Sequence, residues 1–328
     1  MAETKVHFLN VKQGDCFLIE RASDRLTAID ICAGNMKEEV LEEKMAALRA
    51  AKPRGNYAMC AKPTNPVRYL EQEGLKEVWR FILTHPDMDH MDGIKELFET
   101  KIVKHFWDCG IRREKPDFEK GGPYLEEDWD FYADLIAGKI DGTSVVTPRA
   151  GDGGKYWNAD DDEGNGDGDY LSIVSPNETL LASANDDGDI NDASYVIVYR
   201  SCAGRIIFAG DSNDRTWEYI LEKHESLVSD AAVLFAPHHG RKSDRSYSFL
   251  DVVKPRVSFF GCAPSGHLAY SAWQYRNLLY FTNNQCGNVH IYPNGEVVDV
   301  FIQNETYARD YTKNSTYQKN GYWFLCKE

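Results

Sequence analysis

Three short apolar runs in this chain stop at the same kind of side chain, and that recurrence constrains the fold more than any other feature. Residues 78–83 lead into Thr84-His85-Pro86-Asp87-Met88-Asp89-His90-Met91-Asp92-Gly93. Residues 205–209 lead into Gly210-Asp211-Ser212, and 232–235 into Ala236-Pro237-His238-His239-Gly240. Apolar runs this short, bounded by Gly and Pro, read as buried strands. A fourth run, Val257–Phe260, is followed shortly by Gly266-His267. Layered α/β proteins gather their functional groups at strand ends, so these ends are expected to converge on one site.

The segment after residue 83 is the sharpest signal. His85, Asp87, Asp89 and His90 place two imidazoles and two carboxylates within six residues. Crowding them without a cation would cost several kcal/mol in desolvation and like-charge repulsion, so a metal site is predicted here. His7, His105, His224 and His290 stand alone in the sequence and read as structural.

A chain of 328 residues can bury one large core or two modest ones. No stretch approaches the roughly 18 apolar residues of a membrane span, and the first residues lack the apolar core of a secretory signal, so a cytoplasmic protein is expected. Eight cysteines occur without any C-x-x-C pair. That spacing argues against a zinc ribbon, a thioredoxin-like site or a disulfide scaffold, and most of the thiols read as buried and reduced. The net charge of -15 excludes a protein that blankets duplex phosphates with cations. Contact with a polyanion must then be local.

Between these segments, residues 5–31 read as two strands joined by a turn at Gln13-Gly14-Asp15, with 26–31 continuing the sheet. The spacing predicts a helix over 37–50 and a Pro- and Gly-bearing loop over 51–66. Residues 110–190 read as an insertion, and 151–169 as a mobile acidic surface loop within it. This loop lacks the Glu that closes an EF-hand calcium loop. Strands are expected at 195–199 and 205–209, then a helix capped by Asp214 with Trp217, Ile220 and Leu221 inward. The tail, 288–327, alternates as strands do around an Asn294-Gly295 turn. No internal repeat is obvious.

Taken in order, H-x-D-x-D-H, then G-D, then P-H-H-G resemble the metallo-β-lactamase superfamily, and within it the ComEC-like branch of a DNA-uptake channel protein. Phe8-Leu9-Asn10-Val11-Lys12-Gln13-Gly14-Asp15 is similar to that branch's opening F-L-D-V-G-Q-G-D, and Ile29-Asp30 to its I-D. Asn191-Asp192-Ala193-Ser194 resembles its N-D-x-S element, and Gly266-His267 follows in the order of its G-H-P. Lys12, Arg241 and Leu268 depart from the branch's glycine, serine and proline.

The resemblance implies a single domain over 1–328, an αββα sandwich of two facing mixed sheets flanked by helices, with insertions near 35–75 and 110–190. Residues 5–34 would lie in the first sheet and 195–210 in the second, with His85 and His238 close together. It also implies two divalent ions, Zn²⁺ or Mn²⁺, held by His85, Asp87, Asp89, His90, Asp211 and His238, with Asp211 bridging. Asp192 or Asn191 stands where relatives place a further ligand. Asp89 and His239 take catalytic roles beside the ions, and His267 approaches the leaving group. Arg241, Lys242 and Asn191 would meet the substrate.

Two ions about 3.5–4 Å apart lower the pKa of a shared water toward 7 and clamp the attacked oxygen. The expected activity is therefore a two-metal phosphodiesterase or nuclease acting on single-stranded or short nucleic acid or a nucleotide-like diester. Asp87, where many relatives carry histidine, hardens the site toward manganese. The alternatives are a hydrolase of a small lactone, ester or thioester, and a non-enzymatic, metal-stabilised module. A protein partner could use the inserted segments; no membrane partner is expected.

Overall fold

Both faces of the first hairpin are buried, and that decides the layering. Val6, Phe8, Phe17 and Ile19 belong to one core, while Leu9, Val11 and Leu18 belong to another. The computed structural model describes residues 4–21, 23–36, 57–159, 168–263 and 265–328. The helix expected over 37–50 lies outside them, as do 160–167 of the acidic loop.

The strands are β1 (Lys5–Phe8), β2 (Phe17–Glu20), β3 (Thr27–Ile29), β4 (Glu77–Leu83), β5 (Ile102–Asp108), β6 (Ser144–Val146), β7 (Leu171–Ser175), β8 (Val196–Ser201), β9 (Gly204–Phe208), β10 (Val233–Phe235), β11 (Val257–Phe260), β12 (Tyr280–Thr282), β13 (Val289–Asn294), β14 (Val297–Ile302), β15 (Gln318–Lys319) and β16 (Tyr322–Lys327). They form a ten-stranded sheet, β15-β16-β14-β13-β1-β2-β3-β4-β5-β6, and a six-stranded sheet, β12-β11-β10-β9-β8-β7. Each sheet is mixed. β1, β2 and β3 pair antiparallel and β3 to β6 parallel, while β7, β8 and β9 pair antiparallel and β9 to β12 parallel.

Three cores separate four layers. Phe8, Phe17 and Ile82 of the first sheet meet Ile197, Phe208 and Phe235 of the second. Behind the first sheet, Phe81, Leu83 and Phe106 pack on the helices Pro66–Gln72, Ile94–Thr100 and Glu126–Ile136. Behind the second, Val198, Ile207 and Leu234 pack on Trp217 and Ile220 of the helix Asp214–Lys223 and on Trp273 of the helix Tyr270–Tyr275. This is the expected αββα sandwich, with 5–34 and 195–210 in opposite sheets. No helix among the described residues is long and apolar enough to cross a membrane.

Several local readings change. The tail contains a helix, Glu305–Tyr311, capped by the Asn304 side chain on Tyr307 N. Asn213, not Asp214, is the N-cap residue of the next helix inward; the Asp214 carboxylate instead receives the backbone N–H and hydroxyl of Ser246. Residues within 110–190 supply β6 to one sheet and β7 to the other. Asp169, at the end of the expected acidic loop, is buried against Arg21, Arg25 and Arg80. Cys60 and Cys262 form a disulfide across 202 residues of sequence, so the reduced-thiol reading of most cysteines does not extend to these two. Separation that long leaves no local trace, and only the fold brings the pair to a Cα–Cα distance of 5.7 Å.

Candidate metal centre

The site is assembled where the C-terminal ends of four strands meet. β3 runs into Asp30, β4 into Thr84 and the 3₁₀ turn Met88–His90, β9 into Asp211, and β10 into His238 and His239. Backbone hydrogen bonds join these ends: Tyr195 N to Thr84 O at 2.9 Å, Ile31 N to His90 O at 3.0 Å, and His238 N to Gly210 O at 2.9 Å. His85 and His90 are fully buried, His239 and Asp211 nearly so.

Asp211 stands at the middle. Its Oδ2 lies 3.8 Å from His85 Nε2 and 3.8 Å from His238 Nε2. Its Oδ1 lies 3.4 Å from His90 Nε2 and 3.7 Å from His239 Nε2. Asp87 Oδ2 is 4.0 Å from His85, and Asp89 is 4.0 Å from His90 and 3.5 Å from His239. Ligand atoms about 2.1 Å from a tetrahedral ion sit roughly 3.4 Å from one another, so this spacing fits cation ligation on both sides of Asp211. The buried atoms His85 Nε2, His90 Nε2, His239 Nε2 and Asp211 Oδ1 make no hydrogen bond within the protein. Nitrogens and oxygens converging in this way fit divalent ions.

Hydrogen bonds behind the rings determine which nitrogen faces inward. Thr84 Oγ1 spends its proton on Asp30 Oδ2 at 2.7 Å, so at 3.1 Å it accepts from His85 Nδ1. His90 Nδ1 donates to Asp30 Oδ2 at 2.8 Å, and His239 Nδ1 lies 3.1 Å from Asp15 Oδ1. The hydrogen bonds at His85 and His90, and the ion pair of His239 with Asp15, turn each ring's Nε2 to the cluster, as in carboxylate-backed metal histidines. His238 differs. Arg245 Nη1 donates to its Nδ1 at 2.8 Å, which places the neutral ring's proton on Nε2, toward Asp211.

The electrostatics show how strongly these groups attract positive charge. Burial opposes a charged ring at His90, yet Asp30 and Asp211 hold it well above the usual histidine range. Burial is likewise outweighed at His239, which Asp15, Asp211 and Asp89 push up to about 10. Burial would raise Asp211, but His239, His90 and His85 hold it well below the ordinary carboxylate value. His238 falls to about 4, first through burial and then through Arg245 and its other cationic neighbours. A divalent ion at these nitrogens would take over the role of the protons and release them.

The backbone is shaped to the task. Asp30, His238 and His239 all have positive φ, at 56°, 54° and 56°. Strain in non-glycine residues persists only where the surroundings impose it, and here it aims ligand-type side chains. Gly14 lies so close to Asp89 that an added Cβ would meet the Asp89 carbonyl oxygen at 1.7 Å. Ser194 Oγ accepts from Asp211 N at 3.1 Å, tying the Asn191–Ser194 segment to the centre.

Of the residues singled out from sequence, His85, Asp87, Asp89, His90, Asp211, His238 and His239 come together, with His239 Nε2 3.5 Å from Asp89 and 3.7 Å from Asp211. Asp192 is turned to Arg215, 2.8 Å from its Nη1, and Asn191 lies on the rim of the cleft beside Asp87. Arg241 is half-buried and Lys242 exposed. His267 is exposed, and its carbonyl accepts from Lys242 N at 2.6 Å, which lays its loop along the segment after His239. Asp15, Asp30, Thr84 and Arg245 complete the site without having been assigned to it. Asp30 could have been found, since like Asp211 it is a carboxylate just past a strand.

No family model and no curated protein matches the chain. Among solved structures, it is similar to Tm1679, a metal-dependent hydrolase of the β-lactamase superfamily, at 12% identity and a TM-score of 0.47, covering 85% of this chain and 95% of that one. It is also similar to a diphosphatase of the PhnP family, at 10% identity and a TM-score of 0.38 over 80% and 87% of the two chains. CmlA, a diiron β-hydroxylase from Streptomyces venezuelae, is similar at 11% identity and a TM-score of 0.42 over 85% and 52%. The architecture described above rests on this chain's own strand pairing and cores.

Proposed function

We propose that the protein is a metal-dependent hydrolase that uses two divalent ions, Zn²⁺ or Mn²⁺, to cleave phosphodiesters in single-stranded or short nucleic acid or a nucleotide-like substrate. One observation carries the reading: the two oxygens of Asp211 divide between His85 on one side and His90 and His239 on the other. A carboxylate so placed can join two ions in one centre. Two ions held there would acidify a shared water and offset charge on the attacked phosphate. The carboxylates Asp87, Asp89 and Asp211 make the donor set oxygen-rich, which favours manganese alongside zinc.

The chain's own residues supply the rest. Water adds to phosphorus as the bond to the departing oxygen breaks, and the water's proton goes to a nearby base. Asp89, 20% exposed at its side chain, faces His90 and His239 and is open to that role. The departing oxygen takes a proton from His267, and Arg241 and Lys242 hold non-bridging oxygens. The acidic surface favours a short or single strand over long duplex.

Metal analysis of the purified protein, with turnover of bis(p-nitrophenyl) phosphate, single-stranded oligonucleotides and a lactone panel in Mn²⁺ and Zn²⁺, tests this. Two ions per chain and preferential diester cleavage are expected. Lactone turnover without diester cleavage would overturn the phosphodiesterase assignment.

A further inference from the structure

We infer that Arg113 is a further anion-binding residue of this centre, beside Arg241 and Lys242: it holds Asp87 with one edge of its guanidinium and receives a phosphate oxygen on the other. The inference names a further group that binds substrate phosphate and so rests on the phosphodiesterase reading for its substrate.

Five arginines stand around the centre, and four are bonded to groups other than Asp87; Arg241 gives Nη2 to the carbonyl of Gln13 at 3.4 Å. Arg112 Nη1 is bonded to Asp108 Oδ2 at 2.9 Å and to the carbonyl of Ile111 at 3.0 Å. Arg215 is held by Asp187 and Asp192. Arg245 spends Nε and Nη2 on the carbonyls of Ser212 and Asp211, and Nη1 on His238 and Ser243. Among the described residues Arg112 and Arg215 leave Nε and Nη2 open as well, but Arg113 alone of these is tied to a carboxylate that faces His85. Its Nη1 pairs with Asp87 Oδ1 and the carbonyl of Pro86, and among the described residues no group takes Nε or Nη2.

The Arg113–Asp87 pair is a poor stability device, since its side chains are 34% and 38% exposed and pairs that open contribute little. It is a good positional one. Asp87 turns Oδ2 to His85 and Oδ1 to Arg113, so the carboxylate can serve the centre and fix the guanidinium at once. Arg113 and Asp87 also line the same cleft, about 420 Å³, together with Asn185 and Asn191. Asn191 Oδ1 is buried there without a hydrogen-bond partner. A planar fork with one edge free beside such a centre suits an oxyanion better than a neutral carbonyl.

The test uses the metal-loaded protein and inorganic phosphate as the probe. Isothermal titration is run on wild type, Arg113→Met and Arg113→Lys, with metal content measured on each. Arg113→Met should weaken phosphate binding roughly 10- to 100-fold, as loss of a charge-assisted hydrogen bond does, while keeping both ions. Arg113→Lys should recover part of it. Unchanged phosphate affinity in Arg113→Met, or no binding by wild type, overturns the inference. So does weakening matched by metal loss, because the arginine would then act only through Asp87. Wild type that binds phosphate through Arg113 yet turns over only neutral esters sinks the phosphodiesterase reading and leaves this inference standing.

Discussion

Strands β1 to β6 and strands β7 to β12 are built on one scheme: two antiparallel pairings followed by three parallel ones, each strand beside its successor. In both halves the ends of the third and fourth strands carry the site. Asp30 and the His85–His90 segment come from the first, Asp211 and His238-His239 from the second. Equal places do not give equal roles. Asp30 sits behind the rings and orients them, whereas Asp211 sits between them. The halves also restrain their histidines differently. The first backs His85 and His90 with Thr84 and Asp30. The second uses left-handed backbone at His238 and His239, a guanidinium on one ring, and Asp15 borrowed from the first half on the other. Strand scheme delivers a residue to the site, and the hydrogen bonds behind it determine its task.

The comparison breaks most sharply at Asp211. Asp211→Asn should abolish hydrolysis and remove both ions, since both sides of the centre share this carboxylate. Elemental analysis showing one ion retained would mean that the two sides are independent.

Gly14→Ala and Gly210→Ala then compare how tightly each half is fitted. At Gly14 the new Cβ meets a backbone oxygen at 1.7 Å, while at Gly210 the nearest atom is Ser194 Oγ at 2.4 Å, with φ at +49°. Both should lower the unfolding free energy, read from denaturant melts, by about 1–3 kcal/mol or more, Gly14→Ala the more severely. Equal and negligible losses would remove the close approach as a constraint.

Asp30→Asn set against Arg245→Gln isolates the backing groups. Losing the carboxylate that fixes His90 should weaken metal binding about 10- to 100-fold. Arg245→Gln should cost less than about tenfold, because Arg245 fixes a ring whose inward nitrogen carries the proton. A reversed order, read by metal titration, would give His238 the larger share of ligation.

The smallest effect concerns acid. His7 and His290 lie in β1 and β13, bonded to Tyr69 Oη at 2.8 and 2.7 Å. Burial lowers both below the usual histidine value, with Lys5 adding to the effect on each and His7 on His290. Their neutral state therefore stabilises the fold above pH ~6.5, and that contribution is lost below it as the unfolded chain binds protons first. The limit is about 1.4 kcal/mol per pH unit for each histidine. Thermal melts of metal-free protein should show His290→Gln to be less acid-sensitive than wild type below pH 6.5. An identical pH dependence would place the acid weakness elsewhere.

Much of the site was legible because its chemistry is local in sequence. Four ligand-type side chains in six residues cannot be crowded cheaply without a cation, and apolar runs ending in Asp211 and in His238-His239 carry the same signature. The layering was legible for a related reason. Strands apolar on both faces, alternating with helical spacing, leave few arrangements other than sheets covered on each side. The tail helix Glu305–Tyr311 was hidden because Tyr307 and Tyr311, four residues apart, also satisfy a strand's alternation.

What the sequence by itself determined is the donor set and its strand-end placement, since both follow from residue type and short spacing. What only the tertiary structure decided is which atoms face one another. Asp15 reaches His239 across more than half the chain, and Cys60 finds Cys262. Each depends on two sheets packing in one register, and no periodicity along the chain encodes a contact whose partners are distant in sequence.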